Sequence, residues 1–408
     1  MTNNLDDDRY AAALLRPLAG EPSGPSRIDV ARAMAEGRRR RRSRWWASGA
    51  AVVALTATTA AGGTLAFSAV GRPSPEPRPV ATPAPSVTAA APPARPRDCR
   101  VTRLPTGGVE KALVTGGDPS GRWVVGRSYP TLGAGAARPL LIWKDGAIAE
   151  TVRIGGSDQS FEDINSRGVA VGLTFEPDAR PYAYSNGKVS QLKGGEGVAM
   201  AVNDAGVAVG SLGPVYEGMP ARWDSLTAQP RKLPVPAGTE SGEAVDIDEA
   251  GNILGTIAAK GKEKSGYLWL TDGTHRRMPL PDVDGTKATM FWPESIRNGW
   301  VVGRSVIDTE RERSFAYFRY RIETARYERL PMRSGMPDGV AANGWIIGTA
   351  QRPVITSEGN VTTMLPGYAK AKGRQDYLVE SFSDDGLTAA GYSSGEGLSN
   401  HPLLWRCR

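Results

Sequence analysis

Three glutamates recur at matching places in this chain: Glu162, Glu294 and Glu380 each stand at the expected entry to a short strand. Asp163 and Asp246 lie close by, and Phe161, Phe291, Trp292, Tyr368 and Tyr377 are interleaved with them. Carboxylates gathered beside aromatic faces can hold a cation, a sugar or a basic peptide, because ring quadrupoles add to the attraction of the anion. Two acids about 5–10 Å apart would also suit glycoside chemistry. Other constellations are thin. His275 and His401 are the only histidines, one in a turn and one in a loop, so a Ser–His–Asp arrangement has little to draw on. Asp246-Ile247-Asp248-Glu249 puts two carboxylates on one side of a strand but lacks the oxygen series of a calcium loop. No His/Cys group has zinc spacing. The expectation is therefore no catalytic residue, no metal and no cofactor. A ligand site would draw on Glu162, Asp163, Asp246, Trp292, Glu294 and Glu380, unless these acids merely aid solubility and the aromatics are core.

The elements that must position these residues come from an internal repeat. A turn, an apolar run and a glycine recur as Gly121–Gly126, Gly168–Gly172, Gly206–Gly210, Gly251–Gly255, Gly299–Gly303, Gly344–Gly348 and Gly386–Gly391. Successive final glycines are 46, 38, 45, 48, 45 and 43 residues apart. Seven short β-rich units at this period predict propeller blades of four strands each. Helical repeats would need longer runs of 3.6-residue periodicity. In each unit an apolar residue such as Ile164, Val202 or Ile247 precedes an Asn/Asp/Gly turn, which suits a hairpin. The Val-Val-Gly strand follows, then a third strand often ending in Trp, at Trp143, Trp223, Trp269 and Trp405. A fourth strand closes on Leu-Pro or Met-Pro, tolerable at an edge.

Leu104-Pro105 matches a fourth-strand ending with no strands before it, and the seventh unit has only three strands before Arg408. The predicted fold is all-β: a seven-bladed β-propeller in which the N-terminal strand completes the last blade, built from Ser381–Cys407 plus Cys99–Leu104. An open ring would leave two unpaired edges. Closure makes Cys99 and Cys407 neighbours, and a disulfide there would constrain the unfolded chain by roughly 5 kcal/mol at most.

The turn, the Val-Val-Gly strand, the aromatic-rich third strand and the final leucine resemble the HAF repeats of bacterial extracellular proteins. The third-strand stretches are Pro181-Tyr182-Ala183-Tyr184, Ser314-Phe315-Ala316-Tyr317 and His401-Pro402-Leu403-Leu404-Trp405, of which only the last keeps the histidine. The resemblance spans about residues 99–408. It implies an extracellular β-propeller-like module and carries over no catalytic or binding residue.

Residues 45–70 hold no charge and are long enough to span a bilayer. Five consecutive arginines, Arg38 to Arg42, with Arg44 and the interfacial pair Trp45-Trp46, place that flank in the cytoplasm and the C-terminal domain outside. A cleaved signal peptide is the rival reading, with a shorter apolar core than this one. Residues 71–97 form a Pro/Ala-rich linker, extended and unable to fold alone. The expected domains are a cytoplasmic tail at 1–44, partly helical or disordered, a transmembrane helix at 45–70, the linker, and the propeller at 98–408. The net charge is +7. Residues 1–44 supply ten arginines against six acids, so most of the excess fixes topology. No basic stripe with interleaved aromatics marks the remainder, which argues against nucleic acid. The functional expectation is a single-pass membrane protein whose extracytoplasmic propeller is a ligand- or protein-binding scaffold, with a sensor role open. Its partners would be an extracytoplasmic protein or glycan, the membrane through 45–70, and a cytoplasmic partner for 1–44. The alternative is a propeller enzyme acting on cell-surface polysaccharide.

Overall fold

The computed structural model describes residues 95–408 apart from 110, 130–137, 155–157, 176–177, 261–263, 310–311, 369–374 and 396–399. The expected tail at 1–44, the expected transmembrane helix at 45–70 and most of the expected linker at 71–97 lie outside the described residues. No helix among the described residues is long and apolar enough to cross a membrane.

Seven four-stranded sheets succeed one another along the chain. Their first strands are Lys111–Gly117, Gln159–Ile164, Gly197–Val202, Thr239–Ile247, Met290–Arg297, Met336–Val340 and Gln375–Phe382, opening blades 1 to 7. Blade 7 takes its fourth strand from Arg100–Arg103, which pairs antiparallel with Asn400–Arg406, Val101 opposite Trp405. Cys99 and Cys407 are joined in a disulfide with their Cα atoms 4.0 Å apart. Beyond it, Arg97 and Arg408 exchange two backbone hydrogen bonds. The closure read from the repeats is the one observed, although the first strand of blade 7 begins at Gln375, six residues before the expected start.

Each repeat element has a distinct mechanical role. The third-strand tryptophans are buried, and their indole N–H groups reach back to the preceding blade. Trp143 donates to the Pro105 carbonyl at 2.7 Å, Trp269 to Pro234 at 2.6 Å and Trp405 to Pro366 at 2.9 Å. Trp223 donates to Lys193 at 2.8 Å. Leu104, Leu192 and Leu365 before these carbonyls are buried and Leu233 partly so; the Leu-Pro pair, Leu192-Lys193 in blade 2, is thus less a tolerated edge than a latch between blades. The pair lies just past the fourth strands, which stop at Lys232, Arg277, Arg329 and Met364.

The hairpin turns weld the opposite face of the ring. Asn165 Nδ2 donates to the Asn203 carbonyl at 2.8 Å, and Asn203 Nδ2 to that of Asp248 at 3.4 Å. The Gly299 N–H donates to Asp248, Asn298 to the Ala342 carbonyl, and the Asp384 N–H to that of Pro119. The Asn and Asp side chains of these turns thus also satisfy the backbone of the neighbouring blade. Core clusters lie between blades: Ile142 and Val125 of blade 1 pack on Phe161 and Ile164 of blade 2.

Two smaller expectations shift. His275 opens a fourth strand, His275–Arg277, and His401 lies within the third strand of blade 7, where a turn and a loop were expected.

Candidate functional site

The repeat glycine determines what faces the channel. A Cβ on Gly172 would stand 2.0 Å from the Ser160 carbonyl oxygen of the first strand, and one on Gly210 2.0 Å from that of Val198. Where the strands approach this closely the first strand bulges. The register slips by one residue between Val114/Gly116, Phe161/Asp163, Ala199/Ala201, Ala244/Asp246, Pro293/Ser295, Pro337/Gly339 and Val379/Ser381. A bulge leaves its extra residue outside the ladder and re-aims its side chain. The bulged residues are Thr115, Glu162, Met200, Val245, Glu294, Asp338 and Glu380, one per blade, and all seven line a cavity of about 270 Å³.

This ring lies between two spaces in the channel. On its far side a second space of about 80 Å³ shares Glu162, Met200, Val245, Glu294, Asp338 and Glu380. On the near side, Leu113, Met336 and Leu378 stand two residues earlier on their strands, joined by Leu173, Phe175, Val215 and Tyr216. The floor is acid-rich; the mouth joins these apolar side chains to Ser160 and Glu243, at the same strand level as Leu113, with Arg127 and Arg304 in the same wall.

The charges are partly satisfied. Arg304 pairs with Glu294 at 3.4 Å and stacks over Trp292, 5.2 Å from the ring centre. Arg127 pairs with Asp158 at 3.2 Å. Asp338 accepts the Thr349 hydroxyl at 2.6 Å. Glu243, in the cavity wall, is 3% exposed, and its Oε1 has no hydrogen-bond partner. Burial pushes this carboxyl up to about 8 against the pull of Lys264, and Glu162 adds to the rise. Burial lowers Lys264 in turn, while Glu243 opposes that shift.

The residues expected at the site part company. Glu162, Glu294 and Glu380 share the ring. Asp163 and Asp246, one residue on, face the second space and tie blades together. Asp163 accepts the Val202 N–H at 2.9 Å, and Asp246 accepts the Ile296 N–H at 2.8 Å and the Arg297 guanidinium at 2.9 Å. Burial raises Asp163 to about 7, with Arg297 opposing the rise. Trp292 is buried behind the cavity wall, its indole donating to the Lys264 carbonyl at 3.2 Å. Phe161, Phe291 and Tyr377 are core, and Tyr368 packs on His401. Asp248 is occupied by its own turn, accepting from Asn252. His275 meets the Tyr267 hydroxyl at 2.6 Å, and burial lowers His401. Among the described residues no three His, Cys, Asp or Glu side chains converge as metal ligands.

Sequence reading passed over Asp338, Thr115 and Glu243. A signal for the first two existed: the ring residue lies nine to eleven positions before the repeat glycine, as Glu162 does before Gly172 and Asp338 before Gly348.

The chain is thus a seven-bladed β-propeller whose channel carries an acid-rich ring. No protein-family model matches it, and no curated protein sequence does. Solved structures with a similar fold include YCF48 bound to D1 peptide, 14% identical with a TM-score of 0.45 over 78% of this chain and 98% of that one. The β-propeller domain of the Trilobed protease from Pyrococcus furiosus is 11% identical, TM-score 0.48, over 73% and 94% of the two chains. Polysaccharide lyase Uly1 is 10% identical, TM-score 0.45, over 76% and 99%.

Proposed function

We propose that this chain is a membrane-anchored, extracytoplasmic binding module whose ligand occupies the propeller channel above the bulge ring. The observation that carries this reading is geometric. Seven bulges aim one side chain per blade into a single cavity, and four of the seven, Glu162, Glu294, Asp338 and Glu380, are acids. The uncharged stretch at 45–70 behind its arginine run, and a disulfide of the kind kept in oxidising compartments, support the location. The HAF-type reading of the repeats fits the same location.

The test is to purify the full chain natively from its own membranes and identify small molecules released on denaturation by mass spectrometry. Retention of one compound by the wild type and its loss from Asp338→Asn/Glu380→Gln supports the channel as the site. Equal retention by both proteins, or none by either, counts against it.

One observation favours a second reading as a polysaccharide-active enzyme. Glu243, whose carboxyl burial pushes up to about 8, lines the same cavity as Glu162, and a raised acid near a second carboxyl is the pairing such chemistry uses. Release of reducing ends from xylan, pectin or hyaluronan by the wild type, abolished by both Glu243→Gln and Glu162→Gln, would establish it.

A further inference from the structure

The cavity changes character with depth. Its floor carries Glu294, Asp338 and Glu380 on three consecutive blades, with Glu162 two blades beyond. Its mouth carries Leu113, Met336 and Leu378, which stand nearer the start of the inner strands than the ring residues do. Tyr216 stands at this rim, 49% exposed, on a backbone of φ 78°.

The cations in the wall do not reverse the sign of the floor. Two guanidiniums, Arg304 and Arg127, line the cavity against five carboxyls, and they pair with Glu294 and Asp158. An anion entering the cavity would meet more carboxylates than guanidinium groups. Glu243 adds an independent mark: a buried carboxyl oxygen in the same wall that accepts no hydrogen bond. A buried carboxyl oxygen without a partner is costly whether or not the group is ionised, and the carbonyl oxygen of a neutral carboxyl still accepts from an N–H donor. The space is at the small end for ligand pockets.

We propose that the channel binds a small amphipathic amine, its ammonium head against the acidic floor and its hydrocarbon body against the apolar side chains of the mouth. This deepens the channel-binding reading above and rests on it. Head and tail make separable contributions. The head gains charge-assisted hydrogen bonds from Asp338, Glu380 and Glu162. Each methylene taken from water into the mouth raises affinity roughly fourfold.

The experiment is calorimetric titration of the full chain in lipid nanodiscs with hexylammonium, methylammonium, hexanoate and 1-hexanol, with empty nanodiscs as blank. The expected result is one hexylammonium per chain, with methylammonium, hexanoate and hexanol each weaker by tenfold or more. Asp338→Asn/Glu380→Gln should weaken hexylammonium by about tenfold while leaving hexanol unchanged. Leu378→Ala should shrink the advantage of hexyl over methyl. Thermal unfolding of each variant guards against misfolding, and Glu162→Gln gives the same readout if the double variant does not fold. Hexanoate or hexanol binding as tightly as hexylammonium overturns the amine but leaves a binding channel. Failure of hexylammonium to bind, or binding indifferent to every ring substitution, also overturns it. A non-cationic compound recovered from native protein overturns the amine while upholding the broader reading.

Discussion

A methyl group at position 210 would lie 2.0 Å from the Val198 carbonyl oxygen, well inside van der Waals contact. Gly210→Ala must therefore push the first two strands of blade 3 apart or straighten the bulge at Met200. We expect a loss of about 2–4 kcal/mol, read as a fall in denaturant midpoint. At Gly187, whose turn is open with nothing within 4 Å, the same change meets only positive-φ strain and should cost about 1 kcal/mol. Glu243 and Asp163 make a pH prediction. Both carboxyls are raised by burial, to about 8 and about 7, so between their unfolded and folded values the native state holds protons that the unfolded chain has released. Stability contributed by these protons is complete at the acidic end of that window and is lost as pH rises through it. The thermal midpoint should thus fall from pH 5 to pH 8, and Glu243→Gln should flatten the upper part of that slope. A wild-type midpoint that climbs across this interval would contradict the assignment.

At the scale of the element, the blade is a weak unit made strong by its neighbours. The outer strand of blade 3 is only Arg231–Lys232, yet Pro234 just beyond it anchors Trp269 of blade 4. Trp269→Phe keeps most of the apolar contact and removes the donor to the Pro234 carbonyl from a part-buried hydrogen bond. It should cost about 1–3 kcal/mol in urea unfolding. Trp405→Phe should cost the same or more, since its latch to Pro366 adjoins the closing strand. These elements also show how far the sequence could be read. The four tryptophans, the Leu-Pro pairs and the Asn/Asp turns were visible as a pattern, because each is a local chemical need repeated at a fixed period. That they reach across to a neighbouring blade was not visible, because strand spacing along the chain does not state which blade edge lies opposite.

The whole ring is held shut by a strand of four residues, Arg100–Arg103, largely exposed on its outer side. The disulfide spans a sequence separation of 308 residues, and restricting a loop of that length stabilises the fold by roughly 5 kcal/mol at the ceiling of the chain-entropy model. Cys99→Ser/Cys407→Ser, or reduction, should lower the unfolding midpoint and expose residues 95–103 to limited proteolysis before any other blade is cut. Simultaneous loss of all seven blades with no early cut near Arg100 would show that closure does not begin to fail at this strand.

The sequence alone determined the seven blades, their all-β character, the borrowed last strand and the pairing of Cys99 with Cys407. Period, turn chemistry and an incomplete final unit are properties of the chain itself. It also put Glu162, Glu294 and Glu380 at equal repeat positions, which become equal places in a ring, but read them at strand entry, whereas they stand at the bulge well inside the strand. Tertiary structure decided the rest. Asp163 and Asp246 became clasps between blades, Trp292 went into the wall, and Asp338 and Glu243 entered the site. The physical reason is the bulge: one extra residue per inner strand reverses which side chain faces the channel. Its position is set by how closely the repeat glycine lets two backbones approach, a contact between strands that alternation along either one does not reveal.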